Sequence, residues 1–331
     1  MTHTKITNIG IIAALFLALG ATKCSKKSTP TALKNKRNSS VRNTGLFGPK
    51  VFENDEIKTA KAKLFTEVKS SHYLKLKELL EDERYRNLAK TAIDEEDNEK
   101  SALHFAVESE RLDTVELLLD IGADSRVQDS KGKTPIYYAA ADGNNEMLKL
   151  FIKKLPRKGL KKDKKALDLQ EEGGKTPLYA AAAKGDLAGT KTLKKKANID
   201  LASKIGKTPL YISIENSKAG TAEVLIKAGA ELDKKYGEKT PLLLAIEKNL
   251  EYVAQLLIKA GANLAASDRS RRSPLYLAVK KKRRNVVRAL LAKNASLDQA
   301  DKNGVTPVEL ANAKDYENKA IKDMINKKRK R

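Results

Sequence analysis

Six cations hold the same place in a repeating text. Lys100, Lys133, Lys175, Lys207, Lys239 and Arg272 each stand immediately before a four-residue block that recurs along the chain; the seventh block follows Val305. Side chains at equivalent positions of stacked units fall in line, so this spacing predicts a straight row of positive charge. Such a row suits an anionic partner rather than a bond-making reaction. Other chemistry is scarce. There is one Cys, Cys24, and three His, at 3, 72 and 104. One thiol cannot close an internal disulfide or supply a thiolate zinc cage. His104 has no nucleophile or carboxylate constellation around it in the sequence and reads as a structural histidine. Tyr137, Tyr179, Tyr211 and Tyr276 recur in register. An exposed row of rings could stack nucleic-acid bases; a buried row would be core, which is the reading taken for them. No glycine-rich phosphate loop follows a strand. The sequence therefore suggests a non-enzymatic protein, with no cofactor, no metal and no small-molecule substrate.

The N-terminus carries different signals. Residues 9–21 read I-G-I-I-A-A-L-F-L-A-L-G-A, with Lys5 before them and Lys23 after them. A bilayer core of about 30 Å needs about 20 helical residues, so this run is too short to span one. A charged start, a short apolar run and a small-residue end make a secretory signal. Cys24 lies just beyond it, and the arrangement resembles a bacterial lipoprotein signal, in which that Cys becomes the lipidated first residue. Ala21 and Lys23 depart from the usual residues before such a Cys. Plain cleavage near Ala21, or retention as an uncleaved anchor, remain the alternatives. The next stretch holds Lys26, Lys27, Lys34, Lys36, Arg37, Arg42 and Lys50 and no acidic residue. Low hydropathy and one-sign charge cannot bury enough surface to offset chain entropy, so it reads as a disordered tether. Its charge would be drawn to an anionic membrane surface, at about 1 kcal/mol per basic residue near the headgroups. The same stretch could equally be a plain spacer.

The blocks themselves begin at Ser101 (S-A-L-H), Thr134 (T-P-I-Y), Thr176 and Thr208 (T-P-L-Y), Thr240 (T-P-L-L), Ser273 (S-P-L-Y) and Thr306 (T-P-V-E). Their period is 32 or 33 residues, except for a span of 42 that holds a Lys-rich insertion around 155–165. Ser or Thr caps a helix by accepting from its free N–H groups, and Pro fits the first helical position. A second apolar stripe at three- and four-residue spacing follows, as in 112–119 and 250–258. Gly122, Gly229, Gly261 and Asn294 then stand where a left-handed helix stop is needed. In this pattern the chain resembles the ankyrin repeat, whose signature is T-P-L-H-x-A at a period of 33. The resemblance implies an all-α solenoid of helix-turn-helix units with short β-hairpin-like fingers. It also implies protein–protein binding through the fingertips and inner helices.

The expected organisation is a signal peptide over 1–23 and a basic tether over 24–57. An N-terminal capping repeat over 58–97 follows, then ankyrin repeats with a C-terminal cap over 98–331. In the N-terminal cap Leu64, Val68, Leu74, Leu76, Leu79 and Leu80 would form the stripe, with Ala62 in place of the capping residue. Val308, Leu310, Ile321, Met324 and Ile325 would do so in the last unit. The third T-P-L unit departs from the pattern. It has Gly189, Thr190 and Thr192 where branched aliphatics belong and no stop glycine, so it is expected to be the weakest link.

The net charge is +24, from 66 Lys+Arg against 42 Asp+Glu. A protein this basic suits an acidic protein or peptide as partner, or an anionic membrane surface reached through the tether. The sequence-level expectation is an exported protein of the cell envelope or periplasm, lipid-anchored at Cys24. It would bind an acidic protein through Lys100, Lys133, Lys175, Lys207, Lys239 and Arg272. The alternative is a nuclear or nucleic-acid-associated protein. It would use the same row and the terminal K-K-R-K-R; further fingertip charge at Lys131, Lys204, Lys234, Lys235, Arg269 and Arg271 strengthens the binding reading of the row itself. A bias toward Lys and Asn can also come from coding composition alone, so charge by itself does not decide between function and background.

Overall fold

The computed structural model describes residues 55–70, 72–154 and 165–330. The chain divides into two units, Met1–Phe52 and Glu53–Arg331, and all described residues lie in the second. The signal, Cys24 and most of the expected tether lie outside the described residues.

The helices come in pairs. After α1 (Asp55–Lys69), α2 (Tyr73–Leu79) and α3 (Glu83–Thr91), a hairpin of β1 (Ile93–Asp94) and β2 (Lys100–Ser101) leads into the first pair, α4 (Ala102–Glu108) and α5 (Leu112–Asp120). The second pair is α6 (Pro135–Asp142) and α7 (Asn145–Lys154). A 3-10 turn, Lys165–Leu167, precedes the third, α8 (Pro177–Lys184) and α9 (Leu187–Leu193). The next three are α10 (Pro209–Glu215) with α11 (Ala219–Lys227), α12 (Pro241–Glu247) with α13 (Glu251–Ala260), and α14 (Pro274–Lys280) with α15 (Arg284–Ala292). The last is α16 (Pro307–Asn312) with α17 (Lys319–Arg329). The first helix of each pair packs on the first helices of its neighbours, and the second helices do likewise. Two parallel layers result, with the core between and within them.

The local chemistry explains each boundary. Thr134, Thr176, Thr208, Thr240, Ser273 and Thr306 all have extended backbone and accept from the N–H three residues on, at 3.1–3.4 Å. Pro occupies the first helical position after each. Gly122, Gly229, Gly261 and Asn294 have φ of 88°, 84°, 97° and 57°, the left-handed stops that the sequence placed there. A second left-handed site recurs in the turn inside each of the first six pairs: Glu110, Gly143, Gly185, Ser217, Asn249 and Lys282, with φ between 55° and 85°. Four of these six are not glycine, so the turn is imposed by the packing of the pair and not by its own sequence. A non-glycine residue held there costs about 1–2 kcal/mol.

The N-terminal cap differs from the expectation. It has three helices, not one pair, and α1 begins at Asp55 and runs through Ala62, which is mid-helix and caps nothing. Leu64, Val68, Leu76 and Leu80 are buried, but Leu74 is 78% exposed. On α2 positions 76 and 80 share a face, and 74 lies on the other side. The C-terminal cap follows the expected pattern: Val308, Ile321 and Ile325 are buried, with Leu310 and Met324 half-buried. Among the described residues only β1–β2 forms a ladder, Ile93 opposite Ser101 and Asp94 opposite Lys100, and a single isolated bridge joins Tyr236 and Lys239.

The third unit shows why its residues are unusual. Helix α9 has seven residues against nine or ten in the other internal second helices, and no residue of 194–198 has positive φ. Gly189 is there for close approach: a Cβ would collide with the Asp186 carboxylate and lie 3.0 Å from Leu148 Cδ1 on α7. Thr190 is fully buried, and its Oγ1 has no hydrogen-bond partner among the described residues. A buried hydroxyl without a partner destabilises by about 1–3 kcal/mol relative to a satisfied one. Thr190→Val should therefore raise the stability of the array by about 1 kcal/mol, read as a higher urea midpoint. Hydrogen exchange of the unaltered chain should show α9 as the least protected internal second helix. Protection equal to that of α5 would contradict this account.

Candidate functional site

Each finger places its cation next to a capped helix, and the acidic residues of that helix decide what the cation can do. In the first unit Lys100 Nζ pairs with Glu108 at 2.9 Å and Asp97 at 3.6 Å. In the fourth, Lys207 Nζ lies 2.6 Å from Glu215; in the fifth, Lys239 Nζ lies 2.6 Å from Glu247. All three acids stand eight residues after their lysine, at the seventh position of the first helix. There the helix carries its seventh side chain back over the finger. Burial alone would lower the pKa of Lys100 and Lys207, but the hydrogen bonds and charges of Glu108 and Glu215 outweigh it and raise both above the usual lysine value. Lys207 also sits 4.5 Å from the ring centre of Tyr236.

Arg272 is held differently. Its guanidinium donates to Asp268, from Nε at 2.7 Å, and lies 3.9 Å from Glu247 of the preceding unit. That carboxylate belongs to the finger: Asp268, like Asp129 and Asp301, is buried and accepts two finger backbone N–H groups. Lys133 and Lys175 have no such clamp. Position eight beyond them is Ala141 and Ala183. Lys133 lies over the rings of Tyr137 and Tyr138, at 5.7 and 5.3 Å, and Lys175 is exposed. Among the described residues neither ammonium has a carboxylate within ion-pair distance. Four of the six predicted residues are thus paired with acids of the protein itself. Sequence reading singled out the cations and missed Glu108, Glu215 and Glu247; the recurring eight-residue spacing was the available signal.

Most of the fingertips carry further cations, while the third carries Glu171 and Glu172. Lys131, Lys204, Lys234, Lys235, Arg269, Arg271 and Lys302 are exposed, and none forms an ion pair among the described residues. Main-chain bonds tie successive fingers: Ser130 N to Asn98 O, Glu172 N to Lys131 O, Lys204 N to Gly173 O, and Lys302 N to Ser270 O, at 2.8–2.9 Å. Among the described residues no such bond joins the fourth finger to the fifth or the fifth to the sixth.

Tyr137, Tyr179, Tyr211 and Tyr276 are 3–8% exposed, so their rings are core and offer no stacking platform. The Tyr276 hydroxyl donates to Asp301 of the next finger at 3.0 Å. His104 is fully buried. Its Nδ1 accepts from the Ser101 backbone N–H at 3.0 Å, so its Nε2 carries the proton and donates to the Lys133 carbonyl at 3.0 Å. It therefore joins the first unit to the second. No group of three or more His, Cys, Asp or Glu among the described residues could hold a metal ion. No described helix is long and apolar enough to cross a membrane.

Burial depresses the His104 pKa from 6.5 to about 4, against the Lys133 hydrogen bond and the Asp129 charge, which favour the proton; Lys100 opposes it. The folded state thus binds this proton less readily than the unfolded chain. The stability it contributes is complete above pH 6.5 and is lost as pH falls from 6.5 toward 4, by up to about 3 kcal/mol. His104→Gln keeps a capping side chain and removes the titration. Urea unfolding at pH 7 and pH 4.5 should show a smaller acid loss in the variant than in the unaltered chain; parallel losses would sink the assignment.

A family model of ankyrin repeats (three copies) matches residues 103–205, 155–236, 180–268 and 219–301. The putative ankyrin repeat protein FPV022 of fowlpox virus is 49% identical over 53 residues, 16% of this chain and 9% of that protein. Ankyrin repeat domain-containing protein 63 of human and of mouse is 35% identical over 65 residues, 20% of this chain and 17% of theirs. The chain thus matches only 9–17% of the length of these relatives. The crystal structure of the ankyrin repeat domain of Bcl-3, a unique member of the IkappaB protein family, matches with a TM-score of 0.58 at 20% identity. That match covers 70% of this chain and 100% of that one, and it speaks to the fold alone. With its helix pairs, capped blocks and left-handed stops matched over most of the array, this chain belongs to the ankyrin-repeat family.

Proposed function

We propose that the protein is a non-enzymatic scaffold that binds an acidic protein or peptide along its fingers and first helices. The observation that carries this reading is the set of exposed cations, without ion pairs among the described residues, at the tips of the second, fourth, fifth, sixth and seventh fingers, from Lys131 to Lys302; the third tip carries Glu171 and Glu172 instead. Exposed single ion pairs contribute only about 0–1 kcal/mol, so no one residue decides binding. Acting together they would raise the association rate, and the effect would fall with salt. Lys131, Lys204 and Lys235 reversed to Glu should weaken binding of a fluorescein-labelled oligo-glutamate peptide more than tenfold, while circular dichroism stays unchanged. The control reverses Lys149, Lys191 and Lys259 on the second helices. Equal losses from both sets would reduce the face to bulk charge. Duplex DNA that displaced the peptide at lower concentration than an unlabelled copy of it would favour the nucleic-acid reading instead.

The same proposal places the protein in the cell envelope. Residues 1–23 would act as the export signal, Cys24 would carry the lipid, and the basic segment after it would lie near anionic headgroups. Support comes from the short apolar run, the single Cys just beyond it and the one-sign charge that follows. Cys24→Ala should move the protein from the detergent phase to the aqueous phase in a phase-partition assay, with the repeats still folded. Retention in the detergent phase would mean that the apolar run is itself the anchor.

A further inference from the structure

We infer that binding of the acidic partner is centred on the second and third units, because there alone the finger cation before the first helix forms no ion pair among the described residues. This rests on the scaffold reading above and narrows it to Lys133, Lys175 and Lys184. The first, fourth and fifth units each carry a Glu at the seventh position of the first helix, and each Glu holds its lysine at 2.6–2.9 Å. An incoming carboxylate would have to displace an existing ion pair there, gaining one contact and breaking another. In the second and third units that position is Ala141 or Ala183, both half-buried at the surface of the first helices. Lys133 and Lys175 form no ion pair among the described residues, so an outside group need displace none, although Asp129 and Glu171 accept from their backbone N–H groups and Glu172 stands at the third tip. Lys184, at the end of α8, is exposed; a Cβ added at Gly143 would lie 3.5 Å from its Nζ, so the ammonium lies over the turn of the second unit. It forms no ion pair among the described residues, and neither does Asp142 beside it.

Three ammonium groups without an ion pair among the described residues therefore belong to two adjacent units. On α8 the first-helix side chains are short, Ala180 and Ala183, where the flanking units have Phe105 or Ile212 and a glutamate; on α6 Ala141 is short and Tyr138 holds the fourth position. A peptide backbone bearing carboxylates can come close to this floor, whereas the flanking units hold it off and answer its charge with their own. The occupant is an acidic segment of a partner protein, and its best anchors are carboxylates spaced to meet cations on neighbouring fingers.

The test adds or removes the clamp and leaves the lysines alone. Ala141→Glu with Ala183→Glu supplies the missing acids and should weaken binding of the fluorescein-labelled oligo-glutamate peptide roughly tenfold. Glu215→Ala with Glu247→Ala frees Lys207 and Lys239 and should strengthen it severalfold. The charge-matched control, Lys149→Ala with Lys259→Ala, changes net charge as much as the first pair and should change affinity less than twofold. If the alanine-to-glutamate pair does not fold, Lys133→Ala with Lys175→Ala against Lys207→Ala with Lys239→Ala asks the same question; only the first pair should lose affinity. Equal effects from the two lysine pairs, or from the clamp pair and its control, would overturn the assignment to the second and third units. That outcome would leave the scaffold reading standing as long as the fingertip reversals still separate from their own control; only their failure would remove it.

Discussion

No described helix of the repeats is long enough to stand alone, and the rest of the structure follows from that constraint. The first helices have six to eight residues and the internal second helices seven to ten. In water a helix below about 12–15 residues is marginal, so each persists only because its apolar face is covered by the next unit. That need explains the strict period, since a shifted unit would expose its stripe. It also explains why caps matter at every helix: with so few turns, one unsatisfied N–H is a large share of the hydrogen bonding. Left-handed Glu110 and Lys282 follow as well, because tight stacking fixes the turn and the residue there must comply.

The same geometry organises the charges. A helix that starts right after the finger returns its seventh side chain to that finger. Whether a unit offers positive charge to a partner is then settled by one side chain on the helix surface, not by the lysine itself. A chain with net charge +24 can thus hold paired finger cations in its first, fourth, fifth and sixth units and unpaired ones in its second and third. The partly exposed seventh position lies outside the packed core, so its identity can vary without disturbing the stack.

Much of this was legible in the sequence because it is periodic. Thr134 and its equivalents, the Pro after them and the stops at Gly122, Gly229, Gly261 and Asn294 all answer to local backbone rules, and those rules act through the residues themselves. The row of finger cations was legible for the same reason. What escaped depends on contacts across space. The left-handed turn at Glu110 or Lys282 carries no glycine to announce it. Gly189 reads as a weakness until the approach of α7 shows that a side chain would not fit. Leu74 reads as core until the start of α2 fixes which side of that helix faces inward. The clamps at Glu108, Glu215 and Glu247 could have been found from their spacing, but only after the helix length was known.

The main-chain bonds between fingers have a mechanical consequence. From the first finger to the fourth, each is tied to the next by an N–H to carbonyl bond, and so are the sixth and seventh. The fifth finger, bridged within itself from Tyr236 to Lys239, has no such tie on either side among the described residues. Helix packing holds it in line, and the Asn263 N–H donates to Asp233 at 2.9 Å near the helix stops. Bending the array there stretches side-chain contacts, which are soft, while bending elsewhere must break backbone bonds. Lys133 and Lys175 therefore sit on the stiff segment, which keeps their spacing as the array flexes at the fifth unit.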